Sequence, residues 1–267
     1  SSAASDVYKR QVYLGCGVAA AISAGFGAPI AGIVFAHEAV LRHFSVRAIA
    51  PISIASVTAS AVSQSFFNTS ATFNISTSAP DLVSVIPVLI IASPIIAIAA
   101  IVYMEALRRS VTIAKGTGWS AERLVITAAT ICGLVGIWIP EILGLGIGTI
   151  NAMLDGGYQL PALILLLIAK IAMTALCIGF GLFGGVFSPA LFVGVAVGGV
   201  ISQLAIFLGV PNLSVAISIA AMAAVAANVI GAPVAAVLII LELTQSYAYA
   251  VAALMALSLI HISEPTR

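Results

Sequence analysis

The stretch GFGLFGGVFSPALF, residues 179–192, decides how the rest of this sequence is interpreted. A glycine-rich turn leads into a Ser-Pro pair and then into apolar residues, and proline suits the first turn of a helix. The first amides of a helix lack internal acceptors and form the positive end of its dipole, so they can bind an anion without a basic side chain. The predicted site comprises two groups, the amide donors and the residues that follow them: Gly185, Val186 and Phe187, then Ser188 and Pro189.

The same stretch also spells GxGxxG through Gly179, Gly181 and Gly184. A dinucleotide fingerprint of that form requires a surrounding βαβ unit and an acidic residue about 20 positions later. Neither is predicted here, so the start of a helix is the better interpretation.

The composition places this helix start inside a membrane. Hydrophobic residues make up 62% of the 267 residues and charged residues 7%, with a mean hydropathy of +1.22, whereas soluble domains carry about 25% charged residues. A net charge of +1 argues against a nucleic-acid surface, which needs a basic stripe. The three cysteines are isolated and predict neither a disulfide framework nor a zinc site. No cofactor is expected.

Long apolar stretches predict an all-α polytopic membrane protein, because a spanning helix needs about 20 mostly apolar residues. Many stretches are interrupted by Gly or Pro, and the backbone groups freed there must face protein or a water-filled cavity. Ordinary kinks and small-residue packing explain any single interruption, but their recurrence favours a bundle of tilted and broken helices that line a pathway. The stretches lie at 12–36, 48–67, 82–107, 124–150, 160–183, 186–210, 213–241 and 246–260.

An internal repeat supports this architecture. GAPIAGIVFAHE at 27–38 and GAPVAAVLIILE at 231–242 share Gly-Ala-Pro at the start and a glutamate at the end, in the same phase. Repeated halves with interrupted helices in corresponding positions are typical of transporters that bind their substrate at the repeat interface. The sequence therefore predicts an inverted-repeat bundle.

Charge predicts the orientation of the chain, and composition sets apart its two ends. The basic connections at 42–47 and 108–123 are expected in the cytoplasm and the loop at 67–80 outside. The polar, aperiodic ends at 1–11 and 260–267 resemble adapter-derived sequence, which leaves 12–259 as the membrane domain. We interpret the chain as an internal fragment of a longer protein.

Three segments resemble the CLC family of chloride channels and transporters. GGVFSPALFVGVAVGG looks like the family's GxFxP segment, and GFGAPIAGIVFAHE looks like the helix leading to its inner acidic residue. AAVAANVIGAPVAAVLIILELTQSY is similar to its penultimate membrane helices. The resemblance spans nearly all of residues 12–260. It implies transport of chloride or a similar small anion, a homodimer with one pathway per subunit, and a multi-pass protein of the bacterial inner membrane.

The resemblance also implies elements that this sequence lacks. A Ser-containing glycine motif and a gating glutamate in G-[KR]-E-G-P are expected before residue 12, and a pore-facing tyrosine after about residue 260. The second glutamate of proton-coupled exchangers aligns with Ala39, which weakens a two-glutamate exchange mechanism. Channel and exchanger both stay open, and we expect the chain to carry no current by itself.

The ionisable residues within the apolar stretches have alternative interpretations. Glu38 and Glu242 end the repeated helices and could carry protons or bond backbone amides. The structural role is favoured, because the resemblance aligns both with structural acids. Lys170 could attract anions, reach an interface with its flexible side chain, or pair with a carboxylate.

A membrane-embedded enzyme, such as an intramembrane protease, is the alternative function. It needs a nucleophile–base pair, paired aspartates or a metal cluster. His37-Glu38 resembles the start of HExxH, but the position of the second histidine is Leu41. Asp81 and Asp155 lie in connections between apolar stretches. No enzyme is predicted.

Overall fold

The computed structural model describes residues 2–67, 73, 75, 82–207, 209 and 214–263. Within these ranges the regular structure is helical and no strand is present. A π-helical turn, Ala36–Leu41, continues the second helix, and a 3-10 turn, Pro140–Ile142, follows the fifth. The α-helices are α1 (Ser2–Phe26), α2 (Pro29–Phe35), α3 (Val46–Phe67), α4 (Leu82–Gly116), α5 (Ala121–Trp138), α6 (Ile147–Leu154), α7 (Leu160–Gly179), α8 (Phe187–Phe207), α9 (Ser214–Ile230), α10 (Pro233–Thr244) and α11 (Tyr247–Ser263).

Several of these helices have the length and composition of membrane spans. Among the described residues, α3, α4, α5, α7 and α8 are long and apolar enough to cross a bilayer. Their outer faces carry large apolar side chains such as Ile91, Ile126 and Trp138, each more than half exposed, as expected for surfaces that face lipid. The predicted all-α membrane fold is confirmed.

The centre of the molecule is the packed pair α8 and α9. Every residue from 215 to 227 in α9 is buried, and glycines bring the two helix axes close together. A Cβ atom added to Gly194 would lie 2.7 Å from the Ala221 carbonyl oxygen, and one added to Gly198 would lie 2.9 Å from the Ser218 backbone nitrogen. Direct backbone packing against α9 therefore fixes α8, whose first turn contains the predicted site.

The predicted helix breaks are confirmed at the Gly and Pro positions. The apolar stretches at 12–36, 124–150 and 213–241 each divide into two helices: α1 and α2, α5 and α6, α9 and α10. Gly146 and Gly231 both have φ of 71° at these breaks, a backbone conformation that a side chain disfavours. The chain can thus reverse direction within the bundle.

One expectation about the connections is wrong, and a second falls almost wholly outside the described residues. α4 continues to Gly116 rather than ending near residue 107, because residues 108–115 contain no Gly or Pro that would interrupt the helix. The loop at 67–80, expected outside the membrane, lies almost wholly outside the described residues, as do residues 264–267. The orientation and the boundaries at 12 and 259 stay predictions.

The repeat is visible in the backbone as well as in the sequence. Gly27 and Gly231 both have positive φ, and the Ala28 and Ala232 that follow both have ψ of 74° before a proline-initiated helix. α1 packs against α2 and α3, as α9 packs against α10 and α11, and α2 packs against α10. The three-helix unit α1–α3 is therefore repeated as α9–α11.

The two copies diverge by one residue after their glutamates. A left-handed residue ends each helix: Arg42, four residues after Glu38, and Gln245, three residues after Glu242. The additional residue of the first copy falls in the π-helical turn Ala36–Leu41, whose wider i→i+5 bonding accommodates an insertion. The repeat is thus in register up to the acidic residue and out of register beyond it.

Candidate functional site

The predicted anion site lies at the start of α8. An irregular segment follows α7, and α8 begins at Phe187 with Pro189 in its first turn. Gly185 is exposed, whereas Val186 and Phe187 are half-buried. Among the described residues, no hydrogen bond uses the amide N–H of Gly185, Val186 or Phe187 as its donor. These groups are available to an external acceptor, as the first amides of a helix must be.

One buried hydroxyl group binds a carbonyl group beside these amides, and another joins the helix start to the segment before α6. Tyr103 in α4 donates from Oη to the Val186 carbonyl oxygen at 3.2 Å, and Ser188 donates from Oγ to the Leu145 carbonyl oxygen at 2.7 Å. The Val186 carbonyl also accepts the Ala190 N–H at 3.1 Å. In a trans peptide the C=O and the N–H point in opposite directions. Fixing the Val186 carbonyl therefore directs the N–H of Phe187, which belongs to the same peptide group, to the opposite side.

The Phe187 side chain connects the site to the first repeat. Its ring packs edge-to-face on Phe26 at the end of α1, with centroids 5.1 Å apart, and contacts Phe35 at the end of α2 at 6.4 Å. Edge-to-face pairs are a favoured aromatic arrangement. The start of α8 therefore contacts the first copy of the repeat, and further along the same helix Gly194 packs against α9 of the second copy.

Lys170 in α7 is buried, with 2% of its surface exposed. Its Nζ donates to the carbonyl oxygens of Ile142 at 2.7 Å and Gly144 at 3.2 Å, and it lies 4.8 Å from the centroid of the Phe192 ring. Within the described part of the chain it pairs with no carboxylate. Its burial argues against the interpretation that it reaches an interface, and no described carboxylate supports the pairing interpretation. The attraction of anions stays a prediction.

Glu38 and Glu242 each bind the start of the other copy's helix, an arrangement that we call the reciprocal clamp. Each carboxylate accepts two backbone amides with its two oxygen atoms, and both are half-buried. The Glu38 carboxylate accepts the N–H groups of Val234 at 3.1 Å and Ala235 at 2.8 Å. The Glu242 carboxylate accepts those of Ile30 at 3.0 Å and Ala31 at 2.7 Å. Negative charge at a helix N-terminus is favourable, so this geometry supports the structural interpretation. A role in proton transfer stays a prediction.

The structure separates the predicted residues into two groups. Residues 185–189 are contiguous at the start of α8, whereas Glu38 and Glu242 lie in the clamp between α2 and α10. Sequence reasoning missed Tyr103, Phe26 and Phe35. For Tyr103 a signal exists, because a tyrosine within a long apolar stretch requires a partner for its hydroxyl group, but the sequence does not say which partner.

Fold and site together define a class: a polytopic helical membrane protein whose broken helices, related by an internal repeat, present unpartnered amides near the repeat junction. Residues 2–260 match the family described as voltage gated chloride channel. The chain belongs to that family.

Individual relatives agree with this assignment. The chain is 30% identical over 249 residues to a putative chloride channel protein ClcB-like from Ralstonia nicotianae, covering 91% of this chain and 57% of that protein. It is 28% identical to the H(+)/Cl(-) exchange transporter ClcA of Vibrio campbellii, covering 89% and 53%. The chain therefore spans about half the length of these curated relatives. Their names give no support to an intramembrane protease.

Solved structures share the fold. A CLC-type fluoride/proton antiporter has a TM-score of 0.76 and 22% identity, covering 92% of this chain and 61% of the other. A slow cyanobacterial Cl-/H+ antiporter has a TM-score of 0.70 and 19% identity, covering 94% and 61%. At these identities the similarity establishes the architecture alone.

Proposed function

We propose that the protein containing this chain moves chloride, or a similar small inorganic anion, across the bacterial inner membrane. The observation that carries the proposal is the set of unpartnered amides at Gly185, Val186 and Phe187, at the start of a helix that contacts both copies of the repeat. Relatives named for chloride support this substrate, and a structural neighbour named for fluoride makes fluoride the first competitor to test. We further propose that the protein is a homodimer with one anion pathway per subunit. It needs no cofactor and catalyses no chemical reaction.

Channel and proton-coupled exchanger are both compatible with the proposal. Ala39 stands where the resemblance places an inner glutamate, and the neighbouring Glu38 accepts two amides, so neither residue offers a free carboxylate. Reversal potentials measured in a pH gradient distinguish the two mechanisms. A channel follows the chloride gradient alone, whereas an exchanger also responds to the proton gradient.

Replacing the Phe187 amide by an ester tests the site directly. The substitution, with the α-hydroxy analogue of phenylalanine, removes one N–H and keeps the side chain. A hydrogen bond to a charged group is worth about 1.5–3 kcal/mol, so chloride affinity is expected to fall roughly 10- to 100-fold, since each 1.4 kcal/mol is a factor of ten. Isothermal titration calorimetry of the purified full-length protein measures this chloride affinity.

The matched control is the same ester at Val195, inside α8, which removes an N–H remote from the helix start. It is expected to lower stability without changing chloride affinity. Gly185→Val provides a second test, because a Cβ there meets no atom within 4 Å and the fold is not strained. Unchanged permeation ratios among chloride, nitrate and fluoride for Gly185→Val, with unchanged affinity for the ester, would refute the site.

Tyr103→Phe is expected to weaken chloride binding by a few-fold while leaving the protein folded. The variant keeps the ring in place and removes one of the two donors to the Val186 carbonyl, a hydrogen bond worth about 0.5–1.5 kcal/mol. The direction of the Phe187 N–H is then fixed by the Ala190 hydrogen bond alone. Chloride titration measures the change, and Tyr247→Phe, at a tyrosine that is 78% exposed, is the control. Equal affinities in both variants would mean that Tyr103 does not orient the site.

A further inference from the structure

No carboxylate pairs with Lys170 among the described residues. Its ammonium group is bonded to two carbonyl oxygens and faces the Phe192 ring, which stabilises a cation but carries no net charge. Glu141, next to Ile142, forms no ion pair with it in the described structure. A buried charge is unfavourable unless an opposite charge accompanies it.

The ammonium group lies close to the start of α8. Nζ bonds the carbonyl of Gly144, and Ser188 bonds the carbonyl of the next residue, Leu145. A Cβ added to Gly146 would lie 3.8 Å from Nζ and 2.8 Å from the Phe192 ring. Because consecutive Cα atoms are only about 3.8 Å apart, Lys170 and the first turn of α8 both bind the same short segment. The two hydrogen bonds, of 3.2 Å and 2.7 Å to adjacent carbonyl groups, place the Lys170 Nζ atom within roughly 10 Å of the Ser188 hydroxyl group.

We propose that Lys170 is the fixed counter-charge of the transported anion and thereby sets the affinity of the pathway for anions. The amides at the start of α8 supply direct hydrogen bonds, and Lys170 supplies the net positive charge that amides lack. This inference rests on the proposed function. At an effective dielectric constant of about 20, opposite unit charges roughly 10 Å apart change a binding constant on the order of tenfold.

The sharpest comparison removes the charge while preserving the shape of the side chain. Lys170→Met is expected to weaken chloride binding on the order of tenfold, and Lys170→Arg, which keeps the charge, to bind within about threefold of the unchanged protein. Lys170→Gln keeps a donor for the loop carbonyls without the charge and is expected to behave like Lys170→Met. Lys115→Met, which removes an exposed lysine from α4, is the control and is expected to change nothing.

Isothermal titration of chloride into the purified full-length protein gives the affinities. The size-exclusion elution profile and the melting temperature show whether each variant is folded. If the unchanged protein binds no chloride, the proposed function fails. If it binds chloride and folded Lys170→Met or Lys170→Gln binds equally well, only the counter-charge is refuted. If Lys170→Arg loses as much chloride affinity as Lys170→Met, the effect comes from the geometry of the side chain and not from its charge. If Lys170→Met and Lys170→Gln both fail to fold, Lys170 has a structural role. Either result overturns the inference.

Discussion

Gly194→Val is expected to disrupt the centre of the molecule. A Cβ at this position would approach the backbone of α9, 2.7 Å from the Ala221 carbonyl oxygen and closer still to the Met222 Cα atom, and backbone cannot move aside as a flexible side chain can. Insertion into a packed interior usually costs about 1–3 kcal/mol, and two helices forced apart along their contact exceed that range. We expect loss of the monodisperse peak in size-exclusion chromatography, or a melting temperature lowered by at least 10 °C.

Gly133→Val is the matched control for this prediction. Gly133 also lies inside a helix, α5, but a Cβ there meets no atom within 4 Å, and replacing glycine within a helix favours the helical state. The melting temperature of Gly133→Val should therefore equal or exceed that of the unchanged protein. A Gly194→Val protein as stable as this control would show that α8 and α9 are not in direct backbone contact.

Replacing both acids of the reciprocal clamp is expected to produce the second large effect. In Glu38→Gln, the amide group can accept only one of the two N–H donors and presents its own N–H to the other, and the same holds for Glu242→Gln. Losing a hydrogen bond that involves a charged group costs about 1.5–3 kcal/mol. Each single variant should lose about this much stability, and the double variant should lose roughly twice as much if the two halves of the clamp act independently.

Thermal unfolding of the four proteins, in the same detergent, measures this cycle. Glu105→Gln is the control, because Glu105 is 44% exposed and pairs only with Arg109 on the same helix face, a contact worth well under about 1 kcal/mol. Proton-driven uptake measured in parallel separates the two interpretations of the acids. Unchanged melting temperatures together with lost proton coupling would make Glu38 and Glu242 proton carriers rather than structural acids.

The helix breaks and the start of α8 at Phe187 were predictable because their causes are local. Gly27, Gly146 and Gly231 have positive φ, and a helix that begins at a Gly-Gly-x-x-Ser-Pro segment leaves its amides free whatever surrounds it. The repeated Gly-Ala-Pro with its glutamate in phase likewise predicted the repeat, because both copies obey the same local rules.

The contacts across the molecule were not predictable from spacing. Tyr103 and Val186 are 83 residues apart, and Glu38 and Ala235 are 197 apart. Nothing in the linear pattern indicates which helix start faces which acid. Lys170 kept three interpretations because its burial depends on the path of residues 142–146, and that path is set by tertiary packing. The one-residue insertion after Glu38 is visible only when the two helix ends are compared as backbone.

The reciprocal clamp has a consequence for the origin of the protein. Each acid binds the helix start of the opposite copy rather than its own, so a half-length ancestor would form the same hydrogen bonds by associating with a second, identical chain. Such a pair is isologous, since one patch contacts its own twin around a two-fold axis. Gene duplication and fusion would convert that dimer contact into an internal one without altering it. Relaxed symmetry after fusion would permit changes in one half alone, such as the additional residue in the turn Ala36–Leu41.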